Sequence, residues 1–109
     1  MARGLALAVL SLLAAGAARR PVDAATGRMR AREVLKSQRC DGCHDSTVSN
    51  ENRRALSVYD LVEPAWPARM TDAQLPKLLG RLKSAPAADQ QAVRDFIAAE
   101  LKERSARQR

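Results

Sequence analysis

Both cysteines and the only histidine of this 109-residue chain fall within five consecutive positions, Cys40-Asp41-Gly42-Cys43-His44. No other feature constrains the fold as much, because a chain with one Trp, one Tyr and one Phe builds only a thin apolar core and needs a staple. Two thiols at i and i+3, followed at once by an imidazole, share one face of a helical turn. Thioether attachment of a haem needs that spacing, with the thiols meeting its two vinyl groups and the imidazole reaching its iron. Cys40 and Cys43 are therefore candidate covalent anchors of one haem c, and His44 is the candidate proximal iron ligand. A porphyrin held there would also supply the apolar volume that the side chains lack.

Other chemistries fit the same residues less well. A structural zinc wants four ligands, and this run supplies at most three. A thioredoxin-like dithiol wants a βαβ setting, for which the chain has no strand pattern. A plain disulfide between Cys40 and Cys43 stays open in an oxidising compartment. The net charge is +7, from 19 Lys and Arg against 12 Asp and Glu, but it forms no long block of one sign and no aromatics are interleaved with it. Nucleic acid is thus not the expected partner. A solvated surface that steers the chain toward redox partner proteins with acidic docking faces is expected instead.

Residues 1–24 have the pattern of a secretory signal: Arg3, an apolar run from Leu5 to Leu13, then small residues. Cleavage is expected after Ala17 or Ala24, the later being preferred. The run is shorter than the roughly 20 residues that cross a bilayer, so no transmembrane span is expected after cleavage; an uncleaved anchor is the alternative. Export would place the chain in the periplasm, where c-type haem is attached. Residues 25–104 then form one haem domain, and 105–109 a basic, disordered tail.

Within that domain, Thr26 to Arg39 is expected to be helical, with Thr26 as cap and Met29, Val34 and Leu35 as apolar contacts. Gly42 eases the turn between the cysteines, and residues 46–52 read as a loop. A short helix from Asn50 or Glu51 would carry Ala55, Leu56, Tyr59 and Val62 on one face. Pro64 and Pro67 make a rigid connector that delivers Trp66 and Met70. Thr71 and Gln74 match a capping box, and Leu75, Leu78, Leu79 and Leu82 form the buried stripe of the helix it opens, although Pro76 and Gly80 weaken that element. From Pro86 to about Arg104, Val93, Phe96, Ile97 and Leu101 mark a further amphipathic helix.

An export signal, a helix leading into Cys40-x-x-Cys43-His44, a loop-rich middle with a methionine and a C-terminal amphipathic helix together resemble the cytochrome c family. The resemblance covers roughly residues 28 to 101 as architecture, and its specific part is the five-residue motif. It implies an all-α, cytochrome c-like domain of three to five short helices around one covalent haem, with the first and last helices crossing so that Val34 and Leu35 meet Phe96 and Ile97. It also implies one-electron transfer rather than enzymatic turnover. Met70, after the Pro-Trp-Pro connector and before a helix start, is the expected distal iron ligand; Met29, or an open sixth position that binds a gas or peroxide, are the alternatives. Met70 packed on Leu75 as a hydrophobic staple is the plain structural reading of the same residue. Tyr59, Trp66, Arg53 and Arg54 are candidates to hold a haem propionate. The chain would serve as a free carrier or as a small haem subunit of a larger dehydrogenase or oxidase.

Overall fold

A computed structural model describes residues 21–109. The signal reading over residues 1–20, including processing after Ala17, lies outside the described residues. Every element among them is helical: α1 (Ala24–Ser37), α2 (Asp41–His44), α3 (Arg53–Val58), a 3-10 helix (Leu75–Arg81) and α4 (Ala87–Arg107). The all-α expectation holds at this level, although α4 is a long helix of 21 residues.

α1 starts earlier than Thr26. Asp23 is its N-cap, and its Oδ1 accepts the Thr26 amide at 2.7 Å. An aspartate in extended conformation three residues ahead satisfies one of the unpaired first-turn amides, so Thr26 is capped rather than capping. The buried face of α1 is Gly27, Ala31, Val34 and Leu35, at the i, i+4, i+7 and i+8 positions of one stripe. Met29 falls off that stripe and is 70% exposed, so it is not the apolar contact expected of it.

α1 packs chiefly against α4. A Cβ placed on Gly27 would lie 3.2 Å from the Phe96 Cα, so the two backbones approach closely where the helices cross. Val34, Leu35, Phe96 and Ile97 all belong to one buried cluster, as the expected crossing requires. On α4 the buried positions are Val93, Phe96, Ile97 and Glu100: the i+7 place on the apolar stripe is taken by a carboxylate, while Leu101 is only partly buried. Glu100 is satisfied by Arg28 of α1, whose Nε donates to Oε1 and whose Nη2 donates to Oε2 at 3.1 Å. The same Nη2 donates to Glu103 at 2.7 Å. These bonds hold the Arg28 guanidinium above its ordinary range, the Glu100 hydrogen bond being the largest cause.

The connector behaves as two prolines dictate, in successive tight turns. Trp66 is buried and its indole Nε1 donates to the Arg28 carbonyl at 3.3 Å. The capping box forms in both directions, Gln74 N to Thr71 Oγ1 at 3.1 Å and Thr71 N to Gln74 Oε1 at 2.9 Å. The element that follows is a 3-10 helix rather than an α-helix. Pro76 has no amide to donate and Gly80 is a poor helix former, and three residues per turn still stack Leu75 over Leu78. Leu75, Leu78 and Leu82 are buried and Leu79 partly so. The short helix of the middle ends at Val58, with Tyr59 extended and Val62 exposed, which corrects the single helical face expected there. α4 continues three residues beyond Arg104, so the segment 105–109 begins as exposed helix.

Removing one partner of a buried ion pair leaves the other without compensation, and Glu100 is 2% exposed. Arg28→Met is therefore expected to lower unfolding stability by about 3 kcal/mol, measured by denaturant titration. A loss below about 1 kcal/mol, the range of surface pairs, would show that the clamp is ornamental.

Candidate functional site

The end of α1 aims the cysteine motif. The Arg39 amide donates to the Lys36 carbonyl at 3.0 Å and the Cys40 amide to the Leu35 carbonyl at 2.9 Å, the two bonds of a Schellman stop. That stop needs a left-handed residue at its centre, and Arg39 occupies it with φ 63, a position that glycine fills at no steric cost. The chain reverses there and Cys40 becomes the N-terminal flank of α2. The His44 amide donates to the Cys40 carbonyl at 3.0 Å, so the motif forms the single turn that its spacing predicts. Gly42 has a negative φ and open space where a Cβ would lie; the turn places no steric demand on it. Both thiols are free, Cys40 half-buried and Cys43 exposed.

The His44 imidazole is fixed on two sides. Its Nδ1 lies 3.1 Å from the Tyr59 carbonyl, and its ring stacks on the Tyr59 ring at 3.7 Å with 8° between planes. A carbonyl only accepts, so Nδ1 carries a proton, and in the neutral ring Nε2 is then the nitrogen with the lone pair, the tautomer of a histidine that ligates through Nε2. The Leu61 amide donates to the His44 carbonyl at 2.6 Å. Burial pushes the Tyr59 hydroxyl well above its ordinary range, and the neighbouring Cys40 side chain adds to the rise. Burial likewise raises the Cys40 thiol, with the neighbouring Tyr59 side chain opposing it.

Asp60 holds the Tyr59 segment in place. Its Oδ1 accepts the Ser46 amide at 3.1 Å and the Val62 amide at 3.2 Å, joining the extended stretch after α3 to the chain leaving the cysteine motif. Burial alone would raise this carboxyl, but the bonds from Ser46 and Val62 outweigh it and hold it below its usual value.

These side chains face a cavity of about 690 Å³, within the range of cofactor sites. Cys40, Cys43, His44, Tyr59 and Met70 all line it. Ala55, Val58 and Leu78 add apolar wall, and Arg39, Arg54, Lys77 and Arg81 add four cations, with no carboxylate among the lining residues. Met70 is 3% exposed, and the staple with Leu75 is not exclusive of this, since both join the same core. An apolar wall, four cations and a free imidazole nitrogen fit a flat, largely apolar group that bears carboxylates and a metal, so the residues present suit a haem.

Of the residues singled out from the sequence, Met70, Tyr59 and Arg54 reach this cavity, whereas Arg53, Trp66 and Met29 are not among its lining. Trp66 spends its donor on the Arg28 carbonyl instead. Sequence reasoning missed Arg39, Lys77 and Arg81; the only hint was an arginine where a helix stop favours glycine. Among the described residues, no three His, Cys, Asp or Glu side chains are grouped to hold a metal ion between them, and no helix is long and apolar enough to cross a membrane. No protein-family model, curated protein or solved structure matches the chain.

Two outcomes follow from this geometry. Arg39→Gly relieves a left-handed arginine and should raise the denaturation midpoint by about 1 kcal/mol of stability; an unchanged or lowered midpoint would contradict the strain. Because the folded Asp60 carboxyl sits below its unfolded value of 3.8, its contribution is present above that value and is lost as pH falls through the lower folded one. Thermal stability should therefore drop steeply below about pH 4, and Asp60→Asn should flatten the drop; an equally steep drop in the variant would remove Asp60 as a cause.

Proposed function

We propose that the chain is an exported c-type haem protein that transfers single electrons, with Cys40 and Cys43 as the thioether anchors, His44 as proximal ligand and Met70 as distal ligand. The observation that carries this reading is the imidazole of His44. Its Nδ1 is tied to the Tyr59 carbonyl at 3.1 Å and its other nitrogen is left for a metal, on a cavity that both cysteines and Met70 also line. The absence of family matches leaves the motif and this geometry as the whole support.

When bound, the haem would supply one-electron redox chemistry at its iron. The chain's part is to hold and tune it. The Tyr59 carbonyl orients the His44 ring and fixes its tautomer. A buried Met70 favours a closed sixth position and a raised potential, which supports an electron carrier over an open site for a gas or peroxide. Arg39, Arg54, Lys77 and Arg81 would neutralise the propionates and present a basic rim to an acidic redox partner. Whether the chain travels alone or within a larger dehydrogenase or oxidase, that rim is the face it would offer.

Export accounts for attachment, since thioether formation belongs outside the cytoplasm. Of the two processing sites, cleavage after Ala17 keeps Asp23, whose carboxylate caps α1, while cleavage after Ala24 removes the cap and the first helical residue.

The test is a pyridine haemochrome spectrum of protein matured in a host competent for c-type attachment. Haem should remain with the polypeptide after denaturation, and a colourless denatured chain defeats the proposal. Met70→Ala should abolish the weak far-red methionine-to-iron band of the ferric protein and lower its reduction potential. A wild-type ferrous form that takes up carbon monoxide readily would favour the open-site alternative.

A further inference from the structure

Arg104 lies in the last turns of α4, far in sequence from the cysteine motif, and its side chain is only 14% exposed. Its guanidinium closes on the segment that carries Met70. Nη1 donates to the Met70 carbonyl at 2.7 Å and to Asp72 Oδ1 at 2.9 Å, and Nη2 donates to the Pro67 carbonyl at 2.7 Å. The Met70 amide donates back to that same Pro67 carbonyl at 3.0 Å. A single planar fork thus bridges both ends of the turn whose last residue is Met70. A lysine in its place offers one compact charge and no second arm with fixed geometry.

Two of the three bonds go to backbone carbonyls of a segment that forms no regular helix of its own between Val58 and Leu75. Such a segment depends on side-chain donors to fix its course. The remainder of the anchoring comes from Trp66, whose indole reaches the Arg28 carbonyl, and Arg28 is in turn clamped by Glu100, four residues before Arg104 on the same helix. The Met70 turn is therefore hung from α4 at one end directly and from α1 at the other.

We infer that Arg104 is a positioning residue for Met70, holding the turn so that the thioether faces the cavity. It never touches the bound group itself, and it acts by limiting how far Met70 can swing away. The inference rests on the proposed Met70 ligation and extends it.

Imidazole added to the ferric holoprotein competes with Met70 for the sixth position, so its apparent dissociation constant reports how firmly Met70 is held. Arg104→Leu is expected to tighten imidazole binding roughly tenfold, the scale of one lost hydrogen bond from a charged donor, and Arg104→Lys to tighten it by a smaller factor. Gln90→Ala, which removes the bonds to the Lys83 and Ala85 carbonyls at the opposite end of α4 and lowers global stability, should leave the constant unchanged, which separates positioning from stability. If Met70→Ala tightens imidazole binding while neither Arg104 variant does, the positioning role is overturned and the ligand survives. If Met70→Ala itself changes neither spectrum nor imidazole affinity, the ligand reading fails, and the role of Arg104 falls with it. Should Arg104→Leu not yield folded protein, Arg104→Lys decides by the same comparison.

Discussion

The crossing of α1 and α4 is the constraint on which the remaining contacts depend. Two helices with few large side chains pack tightly only if their backbones approach, which Gly27 against Phe96 allows. The apolar stripe on α4 is interrupted by Glu100, and burying a carboxylate there is tolerable only because Arg28 meets it with two donors. That pair favours this register of the crossing, since a slide of one turn would move the buried Glu100 carboxylate away from Arg28. It also reaches onward: the carbonyl of Arg28 accepts from Trp66, and Arg104, one turn beyond Glu100, grips the turn that ends in Met70. One helix face thus organises both the crossing and the far wall of the cavity.

The near wall is set by local chemistry. A Schellman stop with a left-handed Arg39 turns the chain into the cysteine motif, and the same residue then contributes a cation to the cavity. Strain retained beside a site of this kind is what a functional demand on the side chain would produce. His44 is held in one tautomer by a carbonyl fifteen residues downstream, and Asp60 keeps that stretch in place through two amides. The polar groups here are nearly all satisfied; the buried exception among described side chains is Arg32 Nε.

Features written in short sequence windows were legible from the residues alone. The capping box of Thr71 and Gln74, the leucine stripe and the single turn of the cysteine motif all depend on neighbours within a few positions. Other features depend on more than side-chain type. Met29 is apolar but lies off the stripe of Gly27, Ala31, Val34 and Leu35 that is buried, and the small Gly27 and Ala31 mark that stripe only faintly. Thr26 has a capping side chain, but Asp23 three residues earlier accepts its amide and takes the cap. Pro76 signals a weakened helix, but its 3-10 form goes with Leu75 and Leu78 both being held in the core. Arg104 has nothing in its own helix to distinguish it from a surface charge, and its three acceptors lie more than thirty residues away in sequence.

The proposed haem would be covalent, joined through Cys40 and Cys43 in the cavity that His44, Met70 and four cations also line. Intact-mass spectrometry of the exported protein, purified from a host with c-type maturation and left unreduced, addresses it most directly. The account predicts the mass of the processed polypeptide plus one haem, with the addition mapping to the peptide that contains Cys40 to His44. A mass equal to the polypeptide alone, or to the polypeptide less the two hydrogens of a Cys40–Cys43 disulfide, would contradict it.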